Sequence, residues 1–158
     1  MSILGTAGHR PQKGAQPAHA LRLLAQQVLM EKRPTQVITG MAVGWDMAVA
    51  QACIDTGTPF IAAVPFDGQE GRWPAQYQEQ YRVLLTKAAK VVHVSPPEYS
   101  LAKMHKRNQW IVDRMDAAVV LWDGFEDSGT ADFVRRAEAA GISPENLWGR
   151  WQDFRHQL

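Results

Sequence analysis

Five short apolar runs punctuate the chain, and none alternates cleanly with polar residues: SILGT (2–6), QVITG (36–40), FIAAVPF (60–66), KVVHVS (90–95) and AAVVLWDG (117–124). Such runs are expected of strands covered on both faces, as in a parallel sheet. Between them the spacing becomes helical. Leu21, Leu24, Val28 and Leu29 recur at that period within Pro17–Lys32, and Pro34 stops the run. Trp45–Thr56 is Ala-rich and meets a stop at Gly57. Ala75–Ala89 sets Tyr77, Tyr81, Leu84 and Leu85 on one side, and Lys103–Met115 and Thr130–Ala140 complete the series. Strand and helix therefore alternate throughout. This order predicts an α/β fold: a doubly wound, mostly parallel sheet of about five to seven strands with helices on both faces.

Residues 142–158 break the rhythm. ISPENLWGRWQDFRHQL holds no clear strand, and its aromatic residues suggest a short helix that caps the domain or joins a homo-oligomer contact. Residues 1–158 read as a single domain, a length that buries about two-thirds of the surface of the unfolded chain.

Composition narrows the partners. The 17 basic and 16 acidic residues leave a net charge of +1, so no global field recruits nucleic acid or a membrane surface, and anion recognition must be local. The single cysteine, Cys53, excludes an internal disulfide and a cysteine-based zinc site; its setting, AVAQACI, predicts a buried, inert thiol. The chain shows no basic leader followed by an apolar stretch and no run of membrane-spanning length, and is expected to be cytoplasmic. The scattered histidines and the lack of a G-x-S-x-G elbow offer no motif for a metal site or a serine hydrolase.

In doubly wound sheets, ligands bind beyond the carboxyl ends of the strands, so the loops there hold the candidate chemistry. The first, GTAGHRP, supplies Gly8, His9 and Arg10, of which Arg10 is the favoured phosphate contact because its fork stays charged at neutral pH. The second, TGMAVGWDMA, supplies Gly40, Gly44 and Asp46 ahead of a helix. Glycine permits close backbone approach there, and a carboxylate suits ribose hydroxyls, although an acid in a first helical turn is also what the helix dipole favours. The third, PFDGQEGRW, offers Gln69, Glu70 and Trp73, or is simply a solvated loop. The fifth, WDGFEDSGT, leads into a helix through Ser128, Gly129 and Thr130, where capping alone also explains the hydroxyls. KMHKRNQW (103–110) reads as a solvated basic helix face in which Asn108 stands out, because an amide can fix a ligand or a neighbouring loop. His93, inside a strand, reads as packed. Two glycine-bearing helix starts on one sheet edge suggest a nucleotide-sized anionic ligand.

Taken in order, TAGHRP, ITGMAVGWDMAVAQA, VPFDGQEGRWPAQYQEQY, KRNQWIVDRMDAAVVLWDG and SGTADFVRRA resemble the YpsA-like proteins of the SLOG superfamily, which also contains LOG-type phosphoribohydrolases and DprA-type DNA-processing proteins. The resemblance covers about residues 3–141. It implies a Rossmann-like fold binding a nucleotide or nucleotide-derived ligand, with no further cofactor required. It carries over Gly8, Arg10 and Pro11; Gly40, Gly44 and Asp46; Gln69, Glu70 and Trp73; Asn108 and Gln109; Asp113 and Asp116; and Gly129 with Thr130. Two features depart from the pattern. Phe133 occupies the position of the glutamate implicated in N-glycosidic cleavage by LOG enzymes, and ENLWGRWQDF stands where the relatives continue with another strand. Binding by a sensor or regulatory module is therefore the leading expectation. Nucleotide N-glycoside hydrolysis using Asp46 and Glu70, with Asp132 as a substitute carboxylate, is the alternative. The expected partner is a nucleotide-like small molecule rather than a membrane or nucleic acid.

Overall fold

The structure, a computed structural model, describes residues 2–8 and 18–156. Six strands, β1 (Ile3–Gly8), β2 (Gln36–Thr39), β3 (Phe60–Phe66), β4 (Lys90–Ser95), β5 (Ala117–Leu121) and β6 (Glu145–Asn146), alternate with six helices. The helices are α1 (Ala18–Lys32), α2 (Trp45–Thr56), α3 (Ala75–Lys87), α4 (Leu101–Val112), α5 (Gly129–Ala139) and α6 (Trp148–His156). The strands form one parallel sheet in the order β4-β3-β2-β1-β5-β6. The chain steps outward from β1 to β4, then returns to the other side of β1 to lay down β5 and β6. That reversal puts a topological switch point beside β1, the expected place for a ligand crevice.

The continuous apolar runs resolve into an alternation between two cores. In β3, Phe60, Ala62 and Val64 join one buried cluster with α1 and α2 residues, whereas Ala63 joins the other, beside Ile111, Phe133 and Val134 of α4 and α5. β5 divides likewise: Val119 and Leu121 to the first, Ala118 and Val120 to the second. Neither face is left to water, so neither needs polar residues.

α1 and α2 pack against each other, and Arg22 Nε and Nη2 donate to the two oxygens of Asp55 at 2.6 Å each, joined by Gln26 at 2.7 Å. The Arg22 bonds, opposed by burial and helped by Gln26 and Gln51, hold the Asp55 carboxyl down at about 2. α2 ends where Gly57 adopts φ 72°, in the left-handed region, which lets Thr58 N donate to the Cys53 carbonyl at 2.8 Å. Cys53 lies within the first core, and burial pushes its thiol up to about 12, leaving it protonated and unreactive.

Two expectations need correction. His93 is exposed, not packed: β4 is the edge strand, and the imidazole faces Asp67 at 3.7 Å. The C-terminal segment does contain a strand. β6 is only two residues long, too short for an apolar pattern, yet it pairs with β5 through Val119–Glu145 and Val120–Asn146. α6 then returns to α1 and sinks Trp151 into the first core, while Arg150 pairs with Glu31. Among the described residues, no helix is long and apolar enough to cross a membrane.

Candidate functional site

At the switch point, a cavity of about 300 Å³ opens at the carboxyl ends of β1 and β2, against the starts of α2 and α5 and along α4. Gly8, Gly40, Asp46, Asn108, Ser128, Gly129 and Thr130, seven of the residues expected from the sequence, line it together. His9 and Arg10 lie outside the described residues. The remaining four stand elsewhere. Gly44 is the N-cap of α2 (φ 101°) and lines a different hollow between α1, α2 and α3. Gln69 donates to the Gly40 carbonyl at 3.3 Å and to the Tyr81 hydroxyl at 3.4 Å, so it holds the end of β2. Trp73 packs edge-on against Tyr81, with ring centroids 5.2 Å apart. Glu70 faces Arg82 at 3.5 Å and is not among the residues lining the cavity.

The glycines at the strand ends serve packing. A Cβ on Gly8 would meet Trp45 ring and side-chain carbons at 2.5–2.6 Å, and one on Gly40 would meet the Arg107 guanidinium carbon at 2.6 Å. Trp45 fills the space beside Gly8, and its Nε1 donates to Thr6 Oγ1 at 2.8 Å. At Asp46, Oδ2 accepts from Ala42 N at 3.2 Å, while its backbone carbonyl accepts from Thr39 Oγ1 at 3.1 Å. This carboxylate orders the turn into α2 and also presents itself to the cavity.

The basic run of α4 forms a solvated face only in part: Lys106 is exposed, but Arg107 and Asn108 are buried. Met104, Arg107, Asn108 and Ile111 all line the cavity, at i, i+3, i+4 and i+7. Arg107 is 6% exposed; Nη1 donates to the Gly40 carbonyl at 2.7 Å and Nε to Asn108 Oδ1 at 3.2 Å. Asn108 Nδ2 in turn donates to the Gly129 carbonyl and to Asp132 Oδ2, both at 3.1 Å. The amide therefore fixes a neighbouring loop, one of the two roles open to it. Charge patterning concealed Arg107, but the apolar positions Met104 and Ile111 at helical spacing place it on the inward stripe.

On the opposite wall, α5 begins at Ser128, whose hydroxyl accepts from Ala131 N at 3.0 Å. A Cβ on Gly129 would meet nothing within 4 Å, so its backbone is open to approach. Burial raises the Asp132 carboxyl, but Arg136, with Nε at 2.8 Å, and Asn108 outweigh it and hold the group below the ordinary carboxylate range. His105 lines the cavity with Nε2 3.8 Å from Asp132 Oδ1. Phe133 turns the other way, fully buried in the second core.

A parallel doubly wound sheet with a glycine-rimmed cavity at its switch point defines a Rossmann-like α/β protein. The YpsA profile, described as the YspA SLOG family, matches residues 19–143, and the chain belongs to that family. The uncharacterized SPbeta prophage-derived protein YoqJ of Bacillus subtilis (strain 168) is 29% identical over 155 residues, covering 87% of this chain and 90% of the relative. The fold is also similar to DNA processing protein A (DprA) from Streptococcus pneumoniae (TM-score 0.66, 18% identity), covering 98% of this chain and 54% of that one. A DprA structure from Helicobacter pylori, described for its single-stranded DNA binding mode, gives a TM-score of 0.63 at 14% identity, covering 92% of this chain and 66% of that one.

Proposed function

We propose that the chain binds a nucleotide or nucleotide-derived ligand, of the NAD, ADP-ribose or nucleoside-phosphate kind, in the switch-point cavity and acts as a sensor or regulatory module. One observation carries this reading: the open start of α5 at Gly129 and the buried guanidinium of Arg107 line the same cavity. First-turn amides have no carbonyl within their own helix to bond, so they and a guanidinium together suit a phosphate. Asp46 lines the same space, where a carboxylate suits ribose hydroxyls.

The hydrolytic alternative asks for two carboxylates about one glycosidic bond. Asp46 lines the cavity, but Glu70 faces Arg82, Asp132 is held ionised by Arg136 and Asn108, and Phe133 is buried. This arrangement supports binding over cleavage. As for nucleic acid, a net charge of +1 does not forbid a local strand contact, and the H. pylori neighbour is described as binding single-stranded DNA. Titration calorimetry with ribonucleoside monophosphates, NAD, ADP-ribose and a single-stranded oligonucleotide tests all three readings, with chromatography for released base. Saturable nucleotide binding without base release is expected. Binding of the oligonucleotide alone would replace the small-molecule reading. Arg107→Gln is expected to weaken phosphorylated ligands about tenfold while sparing the bare nucleoside; equal loss for both would make Arg107 purely structural.

A further inference from the structure

A second, larger hollow of about 1020 Å³ runs along the loop between β3 and α3, where Gln69, Arg72, Trp73 and Glu98 form part of its wall. Tyr99 and Met104 belong to the walls of both hollows, so the two adjoin across these side chains. Tyr99 is 65% exposed, yet its ring is braced edge-on by Phe66 at a centroid distance of 6.2 Å.

The loop presenting that ring is held in an uncommon conformation. Glu98 has φ 81°, in the left-handed region that residues other than glycine rarely adopt. The Lys103 ammonium donates to the carbonyls of Pro97 at 2.7 Å and Glu98 at 2.8 Å, and the Ser100 hydroxyl caps α4 by accepting from Lys103 N at 3.1 Å. These bonds fix the backbone on both sides of Tyr99. A rigidly presented, solvent-facing aromatic ring is a stacking platform, because little conformational entropy remains to be lost on binding. Among the described residues, the acidic Asp67 and Glu98 line the second hollow against one arginine, Arg72. That balance disfavours a phosphate there and suits a ring that is neutral or cationic.

We infer that the ligand is of dinucleotide type: its phosphate occupies the switch-point cavity, and a second, uncharged or cationic ring stacks on Tyr99 in the adjoining hollow. This rests on the nucleotide reading above and narrows it to those ligands that carry a second base-like ring. Lys103 is a positioning residue for the platform.

Calorimetry on the full chain with AMP, ADP-ribose and NAD tests this, since ADP-ribose keeps the diphosphate and both riboses of NAD but lacks the second ring. NAD is expected to bind about tenfold more tightly than ADP-ribose, the scale of one base-aromatic stack. Tyr99→Ala should remove that margin, Tyr99→Phe should keep it, and Lys103→Met should shrink it. Thermal melts check that each variant is folded. Equal affinity for NAD and ADP-ribose, or a margin that survives Tyr99→Ala, overturns the inference and leaves the nucleotide reading standing. Absence of binding by all three ligands overturns both.

Discussion

Glycines at the rim of the switch-point cavity serve two different purposes. At the ends of β1 and β2, the space beside Gly8 and Gly40 is filled by Trp45 and Arg107. At the start of α5, the space beside Gly129 is empty. In sequence, all three sit in loops after strands and share one signature. In the fold, the first two are packing positions that let protein side chains approach the backbone, and the third leaves the backbone open to a ligand. A glycine-rich loop is therefore evidence of close approach, and the structure must say what approaches.

The sharpest way to break this contrast is to add one methyl group to each. Gly8→Ala should be the most damaging, because the Cβ would meet the stiff Trp45 side chain at 2.5–2.6 Å and disturb its hydrogen bond to Thr6. A loss of about 3 kcal/mol is expected by urea unfolding, at the upper end of overpacking costs. Gly40→Ala should cost less, about 1–2 kcal/mol, because the obstacle is the far end of an arginine that can swing aside. Its consequence is functional, since Arg107 would surrender its bond to the Gly40 carbonyl and leave its place in the cavity wall. A Gly8→Ala variant as stable as wild type would show that Trp45 is not anchored as described.

The fold was readable because its signal is redundant. Each strand of the sheet interior needs apolar residues on both faces, so β3 and β5 appear as unbroken runs, and α2 is bounded as Trp45–Thr56 by a glycine whose left-handed conformation ends it. What escaped notice depends on information no local window contains. His93 is exposed because β4 lies at the edge, and strand order is a property of the whole sheet. β6 pairs through backbone groups over two residues and leaves no periodic trace. Within the site, Gly8, Gly40, Asp46 and the Ser128–Thr130 turn follow directly from lying at strand ends and helix starts, whereas Asn108, inside α4, stood out only as an amide among charges. Arg107 was hidden by its charged neighbours, and Gln69, Glu70 and Trp73 stand outside the switch-point cavity because the path of the loop between β3 and α3 is set by contacts with Tyr81 and Arg82 in the helix that follows.

Acid offers a finer distinction between the two walls. The Gly8–Trp45 contact contains no titrating group, whereas the α5 wall is tied to α4 through the Asp132 carboxylate. Because the folded group is held below its ordinary range, its contribution is present above the unfolded carboxyl value, near pH 3.8. It is lost as pH falls further through the folded value. Asp132→Asn should therefore be less stable than wild type at neutral pH, by less than about 1 kcal/mol given partial solvent screening. The gap should close on acidification through that window. Urea unfolding of both proteins at neutral and acidic pH measures it, and a gap independent of pH would mean that Asp132 acts by shape alone.

The smallest effect on stability is also the most informative about ligands. Gly129 has room for a side chain, and its backbone does not require the left-handed region, so Gly129→Ala should leave stability unchanged or raise it by about 0.5 kcal/mol through better helix propensity. The same methyl group would stand where an anion must come to reach the first amides of α5. Affinity for a phosphorylated nucleotide should then fall by about tenfold or more, the loss expected when one charge-assisted hydrogen bond is blocked. Stability and binding thus move independently at Gly129, while the cost at Gly8 is one of stability. If Gly129→Ala binds nucleotides as wild type does, the phosphate does not sit at α5, and the contrast between packed and open glycines loses its functional meaning.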